Sequence, residues 1–429
     1  MAAGQDCDLV IVGAGPAGLG AARAAAEQGL RTVVLERLGG PGELAHPCGG
    51  GVAPVPGFIP GRRADDGLHF PTLGLVIPHR LVLGTPRLLR HISPGGYGFR
   101  ALFPACDDLP IATVDTAGLL RLAAEQAAAA GAELRYGAEV TGLVREGHRI
   151  AGVRTATGEV RARFVISAEG VGRGLCEQAG LYRSLARGVR YVRIVVEERQ
   201  APALGPQHVS QIWTFGKLYT SAPRAFGVVV VPAPGRAGVS MTVFSYDPEV
   251  PGERTVWSYL EEYVEKDPRV RHLLAGSRVV ARAACQKVIR EPPLRVVRDG
   301  LVGVGDAVMP AGHAGILTSM YLGRQAARAV AEGIRAGDTS PGCLAAYERL
   351  FQGPLLRGVE TQGKVVLGLT GMTGEEIDRL CQTLSGLNLA PFFCGDWGLA
   401  AWEALKWVVR KLPWILRDRH LLRRMLNGM

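Results

Sequence analysis

Apolar residues fall along this chain in two rhythms, unbroken short runs and helical stripes. Residues 9–12 (LVIV) form an apolar run between Asp8 and Gly13, the pattern of a strand buried on both faces. Small apolar residues then recur at helical spacing as far as Gly29, and residues 32–35 (TVVL) make a second run. Residues 8–37 therefore read as strand, helix, strand. Short alternating segments between 73 and 103 (LGLVIP, HRLVLG, YGFRALF), broken by Pro and Gly, predict strands of a second, mixed domain. Residues 115–131 read as a helix with an acidic start and a glycine stop. The segments AELRYG, EVTGLVRE, RIAGVRTATG and VRARFVISAEG follow as strands, the last returning to the first sheet.

Strands at 189–196, 209–215, 226–231 and 239–244 predict a larger sheet, with helices at 256–265 and 270–275 beside it. Residues 301–304 read as a buried strand, Gly305-Asp306 as a tight turn, and 316–330 as an amphipathic helix. Beyond Pro341 the pattern is helical. Trp402, Leu405, Val409 and Leu412 form an apolar stripe with Lys406 and Arg410 beside it, and Pro413 breaks or kinks that helix. The expected fold is α/β, with α+β character in its second domain. A Rossmann-like dinucleotide-binding domain (1–68, 103–182 and 276–340) carries an inserted mixed or antiparallel sheet domain for substrate (69–102 and 183–275), followed by a helical C-terminal region (341–429).

The first strand–helix junction carries Gly13, Gly15 and Gly18, a G-x-G-x-x-G with Pro16 and Ala17 inside it. The first glycine permits the turn, the second lets backbone approach a pyrophosphate, and the third lets helix pack on sheet. The phosphates would meet the unpaired N–H groups and positive dipole end of the helix. Glu36, at the end of the second strand, suits the two hydroxyls of an adenosine ribose and would repel a 2′-phosphate.

Composition is that of an ordinary globular protein, 47% hydrophobic and 21% charged, although 58 glycines and 27 prolines imply many loops. Charge changes the picture more. The formal net charge is +10, and residues 399–429 supply half of it through Lys406, Arg410, Lys411, Arg417, Arg419, Arg423 and Arg424 against Glu403 and Asp418. Basic residues beside apolar ones fit a membrane surface or an acidic partner better than nucleic acid. A docked helix with a solvated charged face is the alternative. The eight cysteines include no C-x-x-C pair, which argues against a ferredoxin-type cluster or zinc ribbon and suits a reducing cytosol; no metal is expected. No basic-then-apolar leader is visible and no apolar run reaches transmembrane length, so the expected location is cytoplasmic, or peripheral on the inner face of the membrane.

Residues 38–60 form a Gly/Pro-rich segment in which Cys48 precedes Gly49, Gly50 and Gly51. Two readings of Cys48 stand side by side: a small packed hydrophobe, and a thiol held close to a flat ligand by backbone without side chains. Asp306 can accept hydrogen bonds from a polyhydroxyl chain, or serve as a turn or cap residue. His313, between glycines, reads as a candidate acid or as a hydrogen-bonded loop residue.

The order of fingerprint, Ala168-Glu169-Gly170 turn and late Gly305-Asp306-Ala307 turn resembles the flavoprotein monooxygenase/reductase superfamily with the hydroxybenzoate-hydroxylase-like fold. Within it, HPCGGGV around Cys48, GDAVMPAGHAGI and AAYERLFQGPLLRG resemble motifs of the geranylgeranyl reductase family. That resemblance implies FAD as cofactor and reduction of isolated C=C bonds in a prenyl chain of a lipid, quinone or similar molecule. It implies binding through Gly13, Gly15, Pro16, Ala17, Gly18, Glu36 and Arg37, and through Cys48, Gly49 and Gly50 beside the ring. It adds Val140, Ala168 and Gly170, with Gly305 and Asp306 at the ribityl chain and Pro310, Gly312, Gly315 and Ile316 along the isoalloxazine. The middle motif departs from the usual Asp-Gly, and residues 226–232 lack the family's aromatics.

Alkene reduction needs a hydride on one carbon and a proton on the other, with the alkene within about 3–3.5 Å of the hydride donor. Thiols are mostly protonated at neutral pH, so Cys48 is the candidate proton donor and His313 the second. The electron donor is expected to be NAD(P)H or a ferredoxin or flavoprotein, since no second G-x-G-x-x-G exists outside GVGRG at residues 170–174. Three rivals remain at this stage. They are a quinone-linked electron-transfer flavoprotein dehydrogenase with its iron–sulfur cluster on a separate subunit, an FAD-dependent aromatic monooxygenase, and a non-catalytic FAD-binding scaffold.

Overall fold

A computed structural model describes residues 6–44, 48–55, 57–85, 88–102, 111–182, 190–205, 210–214, 225–233, 235–245, 253–289, 293, 295–309, 315–357, 364–365, 368–369, 371–391 and 397–427. The apolar runs read from the sequence form strand β1 (Cys7–Val12) and strand β2 (Thr32–Leu35), joined by helix α1 (Pro16–Glu27). They sit in an eight-stranded mixed sheet, in which β1 lies between β2 and the strand Gly158–Ser167, both parallel to it. The upper half of Gly158–Ser167 also pairs in parallel with Leu301–Gly303, and its lower half pairs antiparallel with Arg149–Thr155. Helix α2 (Thr116–Ala129) is capped by Asp115, whose carboxylate accepts from the Gly118 amide at 3.1 Å.

Glycines let α1 cross the later helix Ile316–Ala336 at backbone contact. A Cβ on Gly20 would lie 2.5 Å from the Met320 carbonyl oxygen, and one on Gly323 would lie 2.0 Å from that of Ala17. The Ile316–Ala336 helix, which begins at the late motif, is thereby locked against the helix of the first motif.

The predicted larger sheet is present. Seven strands run in the order Arg278–Ile289, Arg190–Gln200, Arg236–Ser245, Ala225–Ala233, Ser210–Thr214, Leu88–Ile92, Gly98–Leu102. It has its own core with the helix Glu253–Lys266, in which Val228, Val230, Val239, Met241, Val256 and Leu260 are buried. The stretch 62–84 takes no part in it. Its strands lie in two small three-stranded sheets, one of them completed by Gly51–Val52 and Ala112–Val114, and Leu68, Phe70, Leu73, Leu75 and Ile77 join the core of the eight-stranded sheet. Residues beyond 341 divide in the same way: Leu344, Tyr347 and Phe351 belong to that first core. Helix Gly374–Leu384 packs on the edge strand Gly98–Leu102, where Asp378 accepts from the Ser93 hydroxyl and the Gly95 amide, both at 2.6 Å.

This edge carries a pH dependence. His91 stacks on Phe99 with ring centroids 4.6 Å apart, and burial pushes its imidazole from an ordinary 6.5 down to about 4. The unfolded chain therefore binds the proton first as pH falls, so stability is complete above pH 6.5 and declines between 6.5 and 4. Asp418 adds to the loss at lower pH. Burial raises its carboxyl, but hydrogen bonds from Arg417, Arg379 and Thr383 outweigh that and hold it below the usual range. Its contribution disappears only as pH falls below 3.8. Melting temperature should fall from pH 7 to pH 5 in the parent protein, and the slope should flatten in His91→Gln.

Candidate active site

The sheet register brings the sequence motifs together. Leu35 stands opposite Val12, Val12 opposite Ser167, and Ser167 opposite Gly303, so four neighbouring parallel strands end at one level. Glu36, Gly13, Ala168 and Val304 leave from that level, outside the carboxyl ends of the strands, where ligands of open α/β sheets bind. The 3-10 turns Gly170–Gly172 and Gly305–Ala307 touch each other there.

Three glycines of the fingerprint differ in what surrounds them. At Gly13 (φ +101°) an added Cβ would lie 2.5 Å from the Ala168 carbonyl oxygen, and at Gly18 it would lie 1.8 Å from that of Gly13. An added Cβ on Gly15 would meet nothing within 4 Å among the described residues. Open space thus sits at Gly15, where α1 begins with Pro16 and Ala17 and has no side-chain cap on its first-turn amides. The Ile316–Ala336 helix also starts uncapped, at Gly315 with φ +75°. A cradle of backbone donors with free space before it fits the pyrophosphate of a dinucleotide.

Glu36 is half-buried. Its carboxylate accepts from the Ala14 amide at 2.7 Å and the Leu38 amide at 2.9 Å, which fixes it at the exit of β2 with lone pairs left for a ribose. Arg37 beside it is exposed. The chain leading into Val140 passes here, since the Ala138 amide donates to the Glu36 carbonyl at 2.8 Å. Tyr136 is a neighbour that sequence reasoning missed. Burial, and then the charge of Glu36, push its phenol up.

The middle turn shows why its acid is Glu. The Glu169 carboxylate accepts from the Leu175 and Cys176 amides and the Ser167 hydroxyl at 2.9–3.0 Å, capping the turn that follows. The side chain therefore serves the protein by holding this turn. Next to it is Arg173, which the sequence reading passed over. Arg173 is 1% exposed and has φ 57°, the one positive φ outside glycine among the described residues. One nitrogen donates to the Met309 carbonyl at 2.5 Å, and the guanidinium lies 5.6 Å from the Tyr182 ring. Its Nε and Nη1 have no hydrogen-bond partner among the described residues. Tyr182 in turn donates to the Ala307 carbonyl at 2.6 Å. The pair clamps the segment Gly305–Met309 that carries Asp306, itself partly exposed. Nothing local in the sequence flags Arg173, because a cation in a glycine-rich turn reads as solvated.

Cys48 and Gly49 are exposed and Gly50 is buried. Among the described cysteines Cys48 is the exposed one, whereas burial drives the thiols of Cys7 and Cys381 up to about 12. The strand Gly51–Val52 that follows touches the Ile316–Ala336 helix, and Phe58 meets Tyr321 of that helix edge-on at 6.3 Å. This places the cysteine-glycine segment beside the helix that starts at Gly315 and Ile316. His313, Pro310 and Gly312 lie outside the described residues.

A family model for FAD-dependent oxidoreductases matches residues 85–329, more than half of the chain, and an FAD-binding domain model matches residues 8–57. This chain belongs to the FAD-dependent oxidoreductases. It is an enzyme of that family with FAD as its cofactor, and it is geranylgeranyl-reductase-like. It is 25% identical to a digeranylgeranylglycerophospholipid reductase of Methanosphaerula palustris, over 98% of this chain and 99% of the relative. A reductase of the same name from Methanosarcina mazei is 26% identical, over 96% of this chain and 95% of its own. Among solved structures, a geranylgeranyl bacteriochlorophyll reductase-like protein from Thermoplasma acidophilum superposes with a TM-score of 0.78 at 21% identity, over 97% and 99% of the two chains. A myxobacterial chondrochloren halogenase shares the fold with a TM-score of 0.66 at 20% identity, over 90% of this chain and 92% of its own.

Proposed function

We propose that this oxidoreductase saturates isolated C=C bonds in the prenyl chain of an isoprenoid lipid. The observation that carries this reading is the end-to-end match to lipid prenyl reductases, which spans 98% of this chain and 99% of the relative. The exposed thiol of Cys48, next to glycines and beside the helix of the late motif, supplies the chemistry the reading needs.

Bound FAD, once reduced, supplies the hydride for one alkene carbon. The first-turn amides of α1 would hold its pyrophosphate, Glu36 would accept from the adenosine ribose, and Asp306 from the ribityl hydroxyls. Arg173 and Tyr182 keep the Asp306 turn in position. Cys48 gives its proton to the second alkene carbon and recovers one from water, to which it is exposed. The external donor, a reduced nicotinamide or a ferredoxin-like protein, restores two electrons per bond saturated.

The test is mass spectrometry of a digeranylgeranyl lipid incubated with enzyme and an electron donor. Products should gain hydrogen pairs one bond at a time. Cys48→Ala should lower kcat by about 10²-fold or more while retaining bound FAD. Unchanged turnover in that variant would remove Cys48 from the mechanism. Oxygen-dependent hydroxylation of a phenol with the lipid left intact would overturn the reading.

A further inference from the structure

The helices Trp397–Arg417 and Arg419–Asn427 close the described chain. One side of this pair is docked. Trp407 donates from its indole to the Thr383 carbonyl at 2.9 Å, Lys411 donates to the Gln382 carbonyl at 3.0 Å, and Asp418 and Leu421 are fully buried. The other side is exposed among the described residues. Trp402, Leu405, Val409, Leu412 and Leu416 recur at spacings of three and four residues and are all exposed, Val409 by 70% and Leu416 by 61%. They make one apolar stripe about 20 Å long. A contiguous apolar surface of this kind marks a contact with something else.

Charge identifies the occupant. Lys406, Arg410 and Arg417 border the stripe on one flank, and Arg419 and Arg423 follow on the next helix. The two carboxylates of this segment are already engaged: Glu403 with Lys406 at 2.5 Å, and Asp418 with Arg417 at 2.6 Å and with Arg379. A second copy of the face would set one positive border against another. An anionic lipid surface matches both the apolar stripe and its basic edge. Trp402 and Trp414 sit under cations, Lys406 at 5.8 Å and Arg417 at 4.3 Å, the arrangement of amphipathic rings at headgroup depth. Among the described residues no helix is long and apolar enough to cross a membrane, so this one would lie in the interface plane.

We propose that the Trp397–Arg417 helix docks the enzyme on an anionic lipid bilayer, with its apolar stripe at the acyl boundary and its basic flank among the phosphates. The proposal is independent of the reductase reading, because binding is measured without turnover. Full-length holoprotein is floated with vesicles of phosphatidylcholine alone or with about 30 mol% phosphatidylglycerol, because basic residues near an anionic surface each add attraction. Binding should be at least about tenfold stronger to the anionic vesicles. V409S/L412S/L416S should lose about tenfold or more of it, with melting temperature and flavin spectrum unchanged. R410E/R419E/R423E, which leaves the apolar stripe intact, should weaken the anionic preference on its own. Absence of binding to either vesicle, or binding that both variants retain in full, would overturn the proposal. A dimer that V409S/L412S/L416S dissolves, with no vesicle binding by the parent, would assign the stripe to a second copy instead.

Discussion

Gly18→Ala is expected to destabilise the fold severely, whereas Gly15→Ala is expected to keep its stability and lose its cofactor. The methyl at position 18 would sit 1.8 Å from the Gly13 carbonyl oxygen and 3.4 Å from the Ala168 Cβ. The clash is with backbone at the point where three strand ends meet, so no rotamer relieves it. A cost of about 3 kcal/mol or more follows, a large fraction of a typical domain's stability. At position 15 a methyl would meet nothing within 4 Å among the described residues, and the backbone (φ −75°, ψ −176°) suits any residue. Its melting temperature without ligand should match the parent's within about 2 °C. The methyl would occupy space facing the uncapped amides of α1, and flavin retained after desalting should drop by about tenfold or more. Equal damage from the two substitutions would contradict the assignment of open space at Gly15 to the pyrophosphate.

Arg173→Met is expected to move stability and cofactor binding in opposite directions. The parent side chain is a cation buried to 1% exposure, with two nitrogens that find no hydrogen-bond partner among the described residues and a backbone in the left-handed region. Such groups cost stability and persist where function holds them in place. Methionine fills much of the same volume without the charge, so the flavin-free protein should become more stable by about 1–3 kcal/mol. It also loses the bond to the Met309 carbonyl, which loosens the turn carrying Asp306. Flavin release should accelerate by about tenfold, the equivalent of one charge-assisted hydrogen bond. Calorimetry of the flavin-free protein and fluorescence of released FAD read the two effects separately. A variant that is less stable and holds FAD normally would make Arg173 an ordinary structural residue.

Much of the architecture was legible because parallel strands buried on both faces leave unbroken apolar runs. Residues 9–12, 32–35 and 301–304 announced themselves in that way, and the glycine spacing placed the turn between the first two. The level at which Val12, Ser167 and Gly303 end was not legible, since register arises from pairing between segments more than a hundred residues apart. Short alternating segments gave a weaker signal. Residues 75–78 read as a strand and 67–70 did not; both are strands, but alternation does not say which core receives the apolar face. They join the first core, while 88–92 and 98–102 go to the seven-stranded sheet.

Within the site, glycines and acids at strand ends were readable because their roles depend on backbone geometry and local order. Glu169 was readable only as a departure. Its cap on the Leu175 and Cys176 amides requires the chain to double back over six residues, which no spacing rule specifies. Arg173 and Tyr136 were invisible for a related reason: burial of one and proximity of the other to Glu36 are set by neighbouring strands. The apolar stripe from Trp402 was seen in the sequence. Which side of it faces outward came only with the docking of Trp407 and Asp418.

The central claim is that FAD cradled by these strand ends passes its reducing equivalents to a prenyl double bond. Anaerobic single turnover tests it most directly: flavin reduced to completion, all external donor removed, and a digeranylgeranyl lipid added while the flavin absorbance is followed. The account predicts reoxidation of the flavin with one C=C bond saturated for each flavin oxidised. A flavin that stays reduced until oxygen or a quinone is admitted, with the lipid recovered unchanged, would contradict it.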